Sequence, residues 1–335
     1  MIKKLERAVD HRIVDLFAGP GGIDWAARSL GIPSTGIEKD PHACATRRAA
    51  GLDTVEGDVR QYGPADFPDA NVLTGGPPCQ TFTIAGNGKG RRALADVLHV
   101  IKLLAAREDP AALLAELEEH DVRTGLVVEP LRWALAALDA GRPYDAVILE
   151  QVPAALPVWE AMGEVLTAEG YSVATGVVAA EQHGVPQARR RAVLIARRTG
   201  TAALPAPTHR AYRKGEDRAA GDPDLLPWVT MGQALGTAAR FVVVSNYGTG
   251  GDPKARGRRS NDEPAFTVTG KISRNRVLSE DGTERRFTNG EAGALQGFPL
   301  DYPWSGDDIS QQIGNAVPPP LGRRILAAAL DLPQT

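Results

Sequence analysis

A chain of 335 residues, 43% of them apolar, can build a sizeable core but is long for one compact domain, so one large and one small domain are expected. No apolar run approaches the roughly 20 residues that span a bilayer, and two cysteines, Cys44 and Cys79, with no CxxC or Cys/His cluster exclude a disulfide framework and a structural zinc site. The net charge of −3 hides an asymmetry: residues 181–286 hold 19 Lys and Arg against 11 Asp and Glu, and the remainder 19 against 30, which suits a protein that offers one basic face to a polyanion.

The N-terminal MIKKLERAVDHRIVDLF has no signal-peptide core followed by a small-residue cleavage site, which together with the few cysteines predicts a reducing, cytoplasmic setting and no membrane association. Residues 12–17, RIVDLF, read as a strand, AGPGG as a glycine turn and IDWAARSLG as a helix closed by glycine. A second strand, STGIE, ends in Glu38; a third segment ends at Gly57-Asp58-Val59, and ANVLTGG (70–76) is a fourth. Residues 91–120 read as two helices split near Asp109-Pro110, and 129–141 as another. YDAVILE (144–150) is a buried strand, 157–170 a helix, and YSVATGVVAA and RAVLIARR are two more strands. This alternation predicts an α/β fold with a doubly wound, mostly parallel sheet and ligands at the strand C-terminal ends.

After about residue 197 the pattern changes. The chain becomes rich in Gly, Pro, Arg and Asp, with short β-like runs such as RFVVVSN and AFTVTG. A small, irregular, β-rich second domain is expected over 197–286. Helical pattern returns at 290–299 and 321–330.

DLFAGPGG sets Gly19, Gly21 and Gly22 between strand and helix, where glycines let a ligand approach the backbone and the open helix N-terminus. The third glycine of GxGxxG is replaced by Asp24, which favours a nucleoside ligand over a dinucleotide. Glu38, ending the second strand, is placed to bind ribose hydroxyls. Asp58, ending the third segment, is placed to accept from an adenine amino group.

In TGGPPCQTFT (74–83), two glycines and two prolines make a rigid loop that presents Cys79. Here the sequence resembles the DNA (cytosine-5) methyltransferases. DLFAGPGG (Asp15 to Gly22) matches that family's cofactor loop, and Pro77 to Gln80 its PPCQ loop. Glu150-Gln151-Val152 matches a Glu-Asn-Val tripeptide imperfectly, and Gln187, Arg189 and Arg191 match QxRxR. Leu295 to Pro299 match LQGFP, and Gly314 to Pro319 match GNAVPP. The resemblance covers most of the chain outside 197–284. It implies S-adenosylmethionine as cofactor, S-adenosylhomocysteine as product, duplex DNA as substrate, a Rossmann-like large domain that is discontinuous over 1–196 and 287–335, and a small domain over 197–286 that reads DNA. By matching positions, the cofactor pocket includes Phe17, Ala18 and Pro20 with the three glycines, Lys39 beside Glu38, Val59 beside Asp58, and Pro78, Leu126, Asn315 and Val317.

The chemistry agrees with these residues. Cytosine C5 is a poor nucleophile; addition of a thiolate at C6 makes it enamine-like, and loss of the C5 proton later expels the thiolate. Cys79 fits that nucleophile. Glu150 would hydrogen-bond cytosine N3 and N4 and favour a proton at N3. The resemblance implies that Arg191 reaches the cytosine O2 and Arg189 supports the site; the two alternate along a strand edge, so both can face one side. A base must leave the duplex to be reached, so base flipping is implied, with TFTIAGNGKGRR (81–92) as a lid. Phosphate and major-groove contacts are expected from Lys254, Arg256, Arg258, Arg259, Lys271, Arg274 and Arg276. The resemblance further implies a monomer in a bacterial or phage-infected cell, with a cognate restriction endonuclease as a separate partner. Two other readings share these motifs: a tRNA cytosine-5 methyltransferase, and a catalytically inactive DNA-binding homologue. Gln151, where the family has asparagine, is read as a support for the glutamate and the cysteine loop.

Overall fold

The computed structural model describes residues 10–78, 89–120, 122–246 and 256–333. Cys79, Gln80, Lys254 and residues 81–88 of the expected lid lie outside that set; residues 89–92 belong to a helix.

Strand β1 (Ile13–Leu16), entirely buried, runs into the glycine turn and helix α1 (Gly22–Ser29). Strand β2 (Ser34–Glu38) leads to α2 (Pro41–Ala49), whose start is set by Pro41 and by the Asp40 carboxylate accepting from the His42 amide. Strands β3 (Asp53–Glu56) and β4 (Val72–Gly75) follow. Helices α3 (Lys89–Ala105), α4 (Ala111–His120), α5 (Val122–Leu126) and α6 (Glu129–Asp139) then lead to β5 (Ala146–Gln151). Helix α7 (Leu156–Ala168) and strands β6 (Ser172–Ala179) and β7 (Arg190–Arg197) complete a seven-stranded sheet in the order β3-β2-β1-β4-β5-β7-β6. Only β7 runs against the others: it pairs antiparallel with both β5 and β6. It is therefore an interior strand, and Arg191 does not lie on a sheet edge.

Alternate residues of the central strands feed cores on opposite faces, as pleating requires. Leu73, Val147 and Leu149 pack on one face with Trp133 of α6 and Trp159 and Met162 of α7. Val72, Ile148, Val193 and Ile195 pack on the other with Ile23 and Ala26 of α1 and Leu321, Ile325 and Leu326 of helix α11 (Pro319–Ala329).

Beyond β7 come the short helix α8 (Met231–Ala234) and strands β8 (Phe241–Val244), β9 (Arg258–Ser260), β10 (Arg276–Ser279) and β11 (Glu284–Arg285), in an antiparallel sheet ordered β11-β10-β8-β9. Its core, Phe241, Val243 and Val277, continues into Leu295 of α9 (Asn289–Gln296) and Ile313 of α10 (Ile309–Asn315). AFTVTG, expected as a strand, is not one. Ala265 makes an isolated bridge with Gln187, and the segment's hydrogen bonds go to residues 186–189. Among the described residues no helix is long and apolar enough to cross a membrane, and no three His, Cys, Asp or Glu side chains cluster to hold a metal ion.

Candidate active site

A cavity of about 370 Å³ opens at the C-terminal ends of the parallel strands, within the size range of small-molecule sites. Phe17, Ala18, Gly19 and Gly22 line it from the glycine turn. The turn is tight: Gly19 and Gly21 have φ of 53° and 99°, and Phe17 takes a φ of 59°, which is costly for a residue with a bulky side chain. Pro20 and Gly21, expected among the cofactor residues, do not line the cavity. The Pro20 carbonyl accepts from the Tyr302 hydroxyl at 2.6 Å, and a Cβ on Gly21 would meet Leu52 Cδ1 at 2.2 Å, so both turn into the protein.

The next wall carries Glu38 and Asp58. Glu38 Oε2 accepts from the Gly19 amide at 2.8 Å, and Oε1 from the Lys39 and Asp40 amides, both at 2.8 Å, so one carboxylate ties β2 to the glycine turn. Asp58 Oδ1 accepts from the Arg60 amide (3.1 Å) and Nε (3.0 Å), and Oδ2 from Arg60 Nη2 (2.7 Å) and Lys39 Nζ (3.0 Å). The Arg60 guanidinium, with the backbone and Lys39 assisting, holds the Asp58 carboxyl well below the usual range, so it is ionised throughout the neutral range. Lys39, Val59, Leu126 and Pro78 line the same space.

Beneath the glycine turn lies a charged layer that sequence reasoning missed. Asp15 accepts from Thr74 Oγ1 at 2.6 Å, and its burial, with the charge of Asp24 nearby, pushes its carboxyl well up. Asp24 pairs at 2.6 Å with Arg47, both side chains fully buried, and Arg47 donates on to the Asp53 carbonyl at 2.9 Å. A Cβ on Gly36 would stand 2.0 Å from Arg47 Nη2, so a glycine inside β2 marks where the guanidinium crosses the strand. That glycine was the one available signal. Cys44, on α2, is buried and donates to the Glu38 carbonyl at 3.3 Å; burial pushes its thiol up to about 11, which leaves it inert.

The far wall comes from the other end of the chain. Asn315 and Val317 line the cavity, and Gln311 Nε2 donates to Asn315 Oδ1 at 2.7 Å. At the remaining corner stand Glu150, Gln151, Arg189 and Arg191. Glu150 is the last residue but one of β5, and burial pushes its carboxyl up against the pull of Arg191, whose Nε lies 2.9 Å from Oε1. Arg189 is buried differently. It donates to the carbonyls of Val268 (2.7 Å), Gly314 (3.0 Å) and Ala316 (3.4 Å), clasping the strand-like segment, the C-terminal wall and the entry to β7. Gln187 adds to the clasp: its Nε2 donates to the Leu295 carbonyl at 2.9 Å and its Oε1 accepts from the Val268 amide at 2.9 Å. The QxRxR motif thus joins LQGFP, GNAVPP and the small sheet's loop in one hydrogen-bonded knot.

The model of the C-5 cytosine-specific DNA methylases matches residues 11–116, 145–226 and 226–330. The chain belongs to this family. Among similar methylases are the Type II methyltransferase M1.HphI of Haemophilus parahaemolyticus, 29% identical over 95% of this chain and 86% of the relative, and M.NlaX of Neisseria lactamica, 29% identical over 94% of each. The structure of the Entamoeba histolytica methyltransferase EhMeth shares the fold, with a TM-score of 0.60 at 12% identity, over 96% of this chain and 98% of that one.

The expected DNA-contacting residues of this methylase occupy unlike settings. Cross-strand register puts Arg258, Val244 and Arg276 in one row, and Arg259, Val243 and Val277 in the next, with Val243 and Val277 in the core. Arg259 accordingly turns inward: its guanidinium lies 4.7 Å from the Tyr212 ring centre and 4.5 Å from that of Phe266, and donates to the Pro264 and Ala265 carbonyls. Its Nη1 and the face of its guanidinium are thus engaged within the protein, unlike those of its neighbour Arg258. Arg258, Lys271 and Arg274 are exposed, Arg256 is half-buried, and Arg276 pairs with Glu284 at 3.2 Å.

Proposed function

We propose that this methylase binds S-adenosylmethionine in the cavity beneath the glycine turn and methylates C5 of a cytosine flipped out of duplex DNA, with Cys79 as nucleophile and S-adenosylhomocysteine as product. One observation carries the reading: a single cavity joins Glu38 and Asp58 to the Glu150–Arg191 pair, with Pro78, the residue before Cys79, on its wall.

The lining fits the cofactor. Glu38 Oε2 takes one protein hydrogen bond and retains a lone pair for a ribose hydroxyl. Asp58 is filled by Arg60 and Lys39, and the exposed Lys39 ammonium is the donor that an adenine amino group would replace. Carboxylates around the cavity favour a sulfonium cation. When bound, that group supplies an electrophilic methyl. The chain's residues do the rest. The Cys79 thiolate adds to C6. Glu150, whose burial favours its protonated form against the pull of Arg191, donates to N3 and accepts from the N4 amino group, so that charge pushed onto the ring is neutralised as it forms. Arg191 orients Glu150 and faces the cytosine O2. After methylation a base removes the C5 proton and the C6–S bond breaks, returning the thiolate.

On this reading residues 1–196 and 287–335 form the catalytic domain and 197–286 the target-recognition domain, with α9 and α10 lending side chains to the small sheet's core. DNA meets Arg256, Arg258, Lys271, Arg274 and Arg276, the protein acts as a monomer, and the Type II naming of the relatives fits a separate cognate endonuclease. The test is transfer of a labelled methyl group from S-adenosylmethionine to duplex DNA, with the position mapped by bisulfite sequencing. Label at C5 of cytosine in one sequence context supports the proposal. Label in tRNA and none in DNA would overturn it.

A further inference from the structure

We infer that Gln151 is a positioning residue that sets the distance between Glu150 and the cysteine loop. The inference rests on the proposed function and concerns this chain's own departure from asparagine. Gln151 is the last residue of β5, next to Glu150, and its side chain turns back across the strand end. Nε2 donates to the Pro77 carbonyl at 2.7 Å, while Oε1 accepts from the Val152 amide at 2.6 Å. Both ends of one amide are thus engaged, one on the backbone leaving β5 and one on the loop two residues before Cys79.

The loop needs such a tie. Gly76 donates to the Leu16 carbonyl at 3.3 Å, near the limit of a hydrogen bond. Pro77 and Pro78 have no N–H, so this stretch cannot donate to a neighbouring strand and can be held only through its carbonyls. Gln151 takes one of them. Because Glu150 precedes Gln151 on a buried strand paired with β7, the amide transmits the position of the strand tip to the loop. Reach decides which amide can do so. Asparagine carries the same carboxamide on a stem shorter by one carbon–carbon bond, about 1.5 Å, so on this backbone its amide would fall short of the place where Gln151 meets both the Val152 amide and the Pro77 carbonyl. The chain's glutamine is therefore matched to its own loop, and restoring the family's asparagine should harm it.

The experiment compares wild type with Gln151→Asn and Gln151→Glu, the latter having the same shape but an acceptor aimed at the Pro77 carbonyl. Three quantities are measured: the single-turnover rate of covalent adduct formation with duplex DNA carrying 5-fluorocytosine, S-adenosylmethionine affinity by titration, and the melting temperature. A misplaced reacting group slows chemistry by up to about a hundredfold. The expected result is an adduct rate roughly tenfold or more lower in Gln151→Asn and lower still in Gln151→Glu. Cofactor affinity and melting temperature should stay near wild type, so the loss falls on kcat and not on KM. Adduct rates equal to wild type, or losses that simply track melting temperature, would overturn the assignment. A wild type that forms no adduct overturns the proposed function along with it.

Discussion

The carbonyl oxygen of Val317 lies 2.1 Å from the point where a Cβ on Gly22 would stand. The first turn of α1 and the GNAVPP segment are in backbone contact there, which brings Asn315 and Val317 to the cavity beside the glycine turn. Gly22 does not have the positive φ of Gly19 and Gly21, so alanine meets no backbone strain there. Gly22→Ala should therefore act through contact alone and force the two walls apart. Cofactor affinity should fall about tenfold or more, equivalent to about 1.4 kcal/mol, measured by titration of the purified protein. Unchanged affinity would show that the C-terminal wall does not hold the cofactor.

The neighbours Arg258 and Arg259 should behave oppositely. Arg258→Ala should weaken duplex DNA binding and reduce the slope of log affinity against log salt by about one, as for loss of one phosphate contact. Arg259→Ala removes a cation held between Tyr212 and Phe266, and should lower the melting temperature. Denaturation curves and binding titrations at several salt concentrations separate the two. A salt slope unchanged in Arg258→Ala would place the DNA face elsewhere.

Much of the large sheet was legible because its strands are buried apolar runs punctuated by glycine and proline, as in Ala146–Leu149, and because loop residues at strand ends carry the chemistry. The small sheet was harder. Arg-Arg-Ser in β9 has no apolar alternation, and its strand character comes from pairing with Phe241–Val244. AFTVTG has the composition of a strand, yet residues 186–189 take its hydrogen bonds. Arg47 stands in the polar run Thr46-Arg47-Arg48, and only the fold puts Asp24 beneath it. Partners distant in sequence leave no local pattern.

His183 gives the fold a pH dependence. It is buried near Arg324 and His209, and its burial, with those charges, pulls it down to about 4 from 6.5. The folded protein thus resists binding a proton that the unfolded chain takes up readily below 6.5. The stabilisation is complete above pH 6.5 and is lost as pH falls from there toward 4, about 3 kcal/mol in all at roughly 1.4 kcal/mol per unit. Melting temperature should decline across that window, and His183→Gln should flatten the decline. An equal decline in the variant would assign the acid limb to other groups.

Covalent capture tests the central claim most directly. Duplex DNA with 5-fluorocytosine at the methylated position should, in the presence of S-adenosylmethionine, trap the wild-type protein in a complex that survives denaturing electrophoresis. Fluorine cannot leave C5 as a proton does, so the C6–S bond persists. Cys79→Ala should form no such complex while still binding both DNA and cofactor. An adduct with Cys79→Ala, or methyl transfer by that variant, would contradict the account.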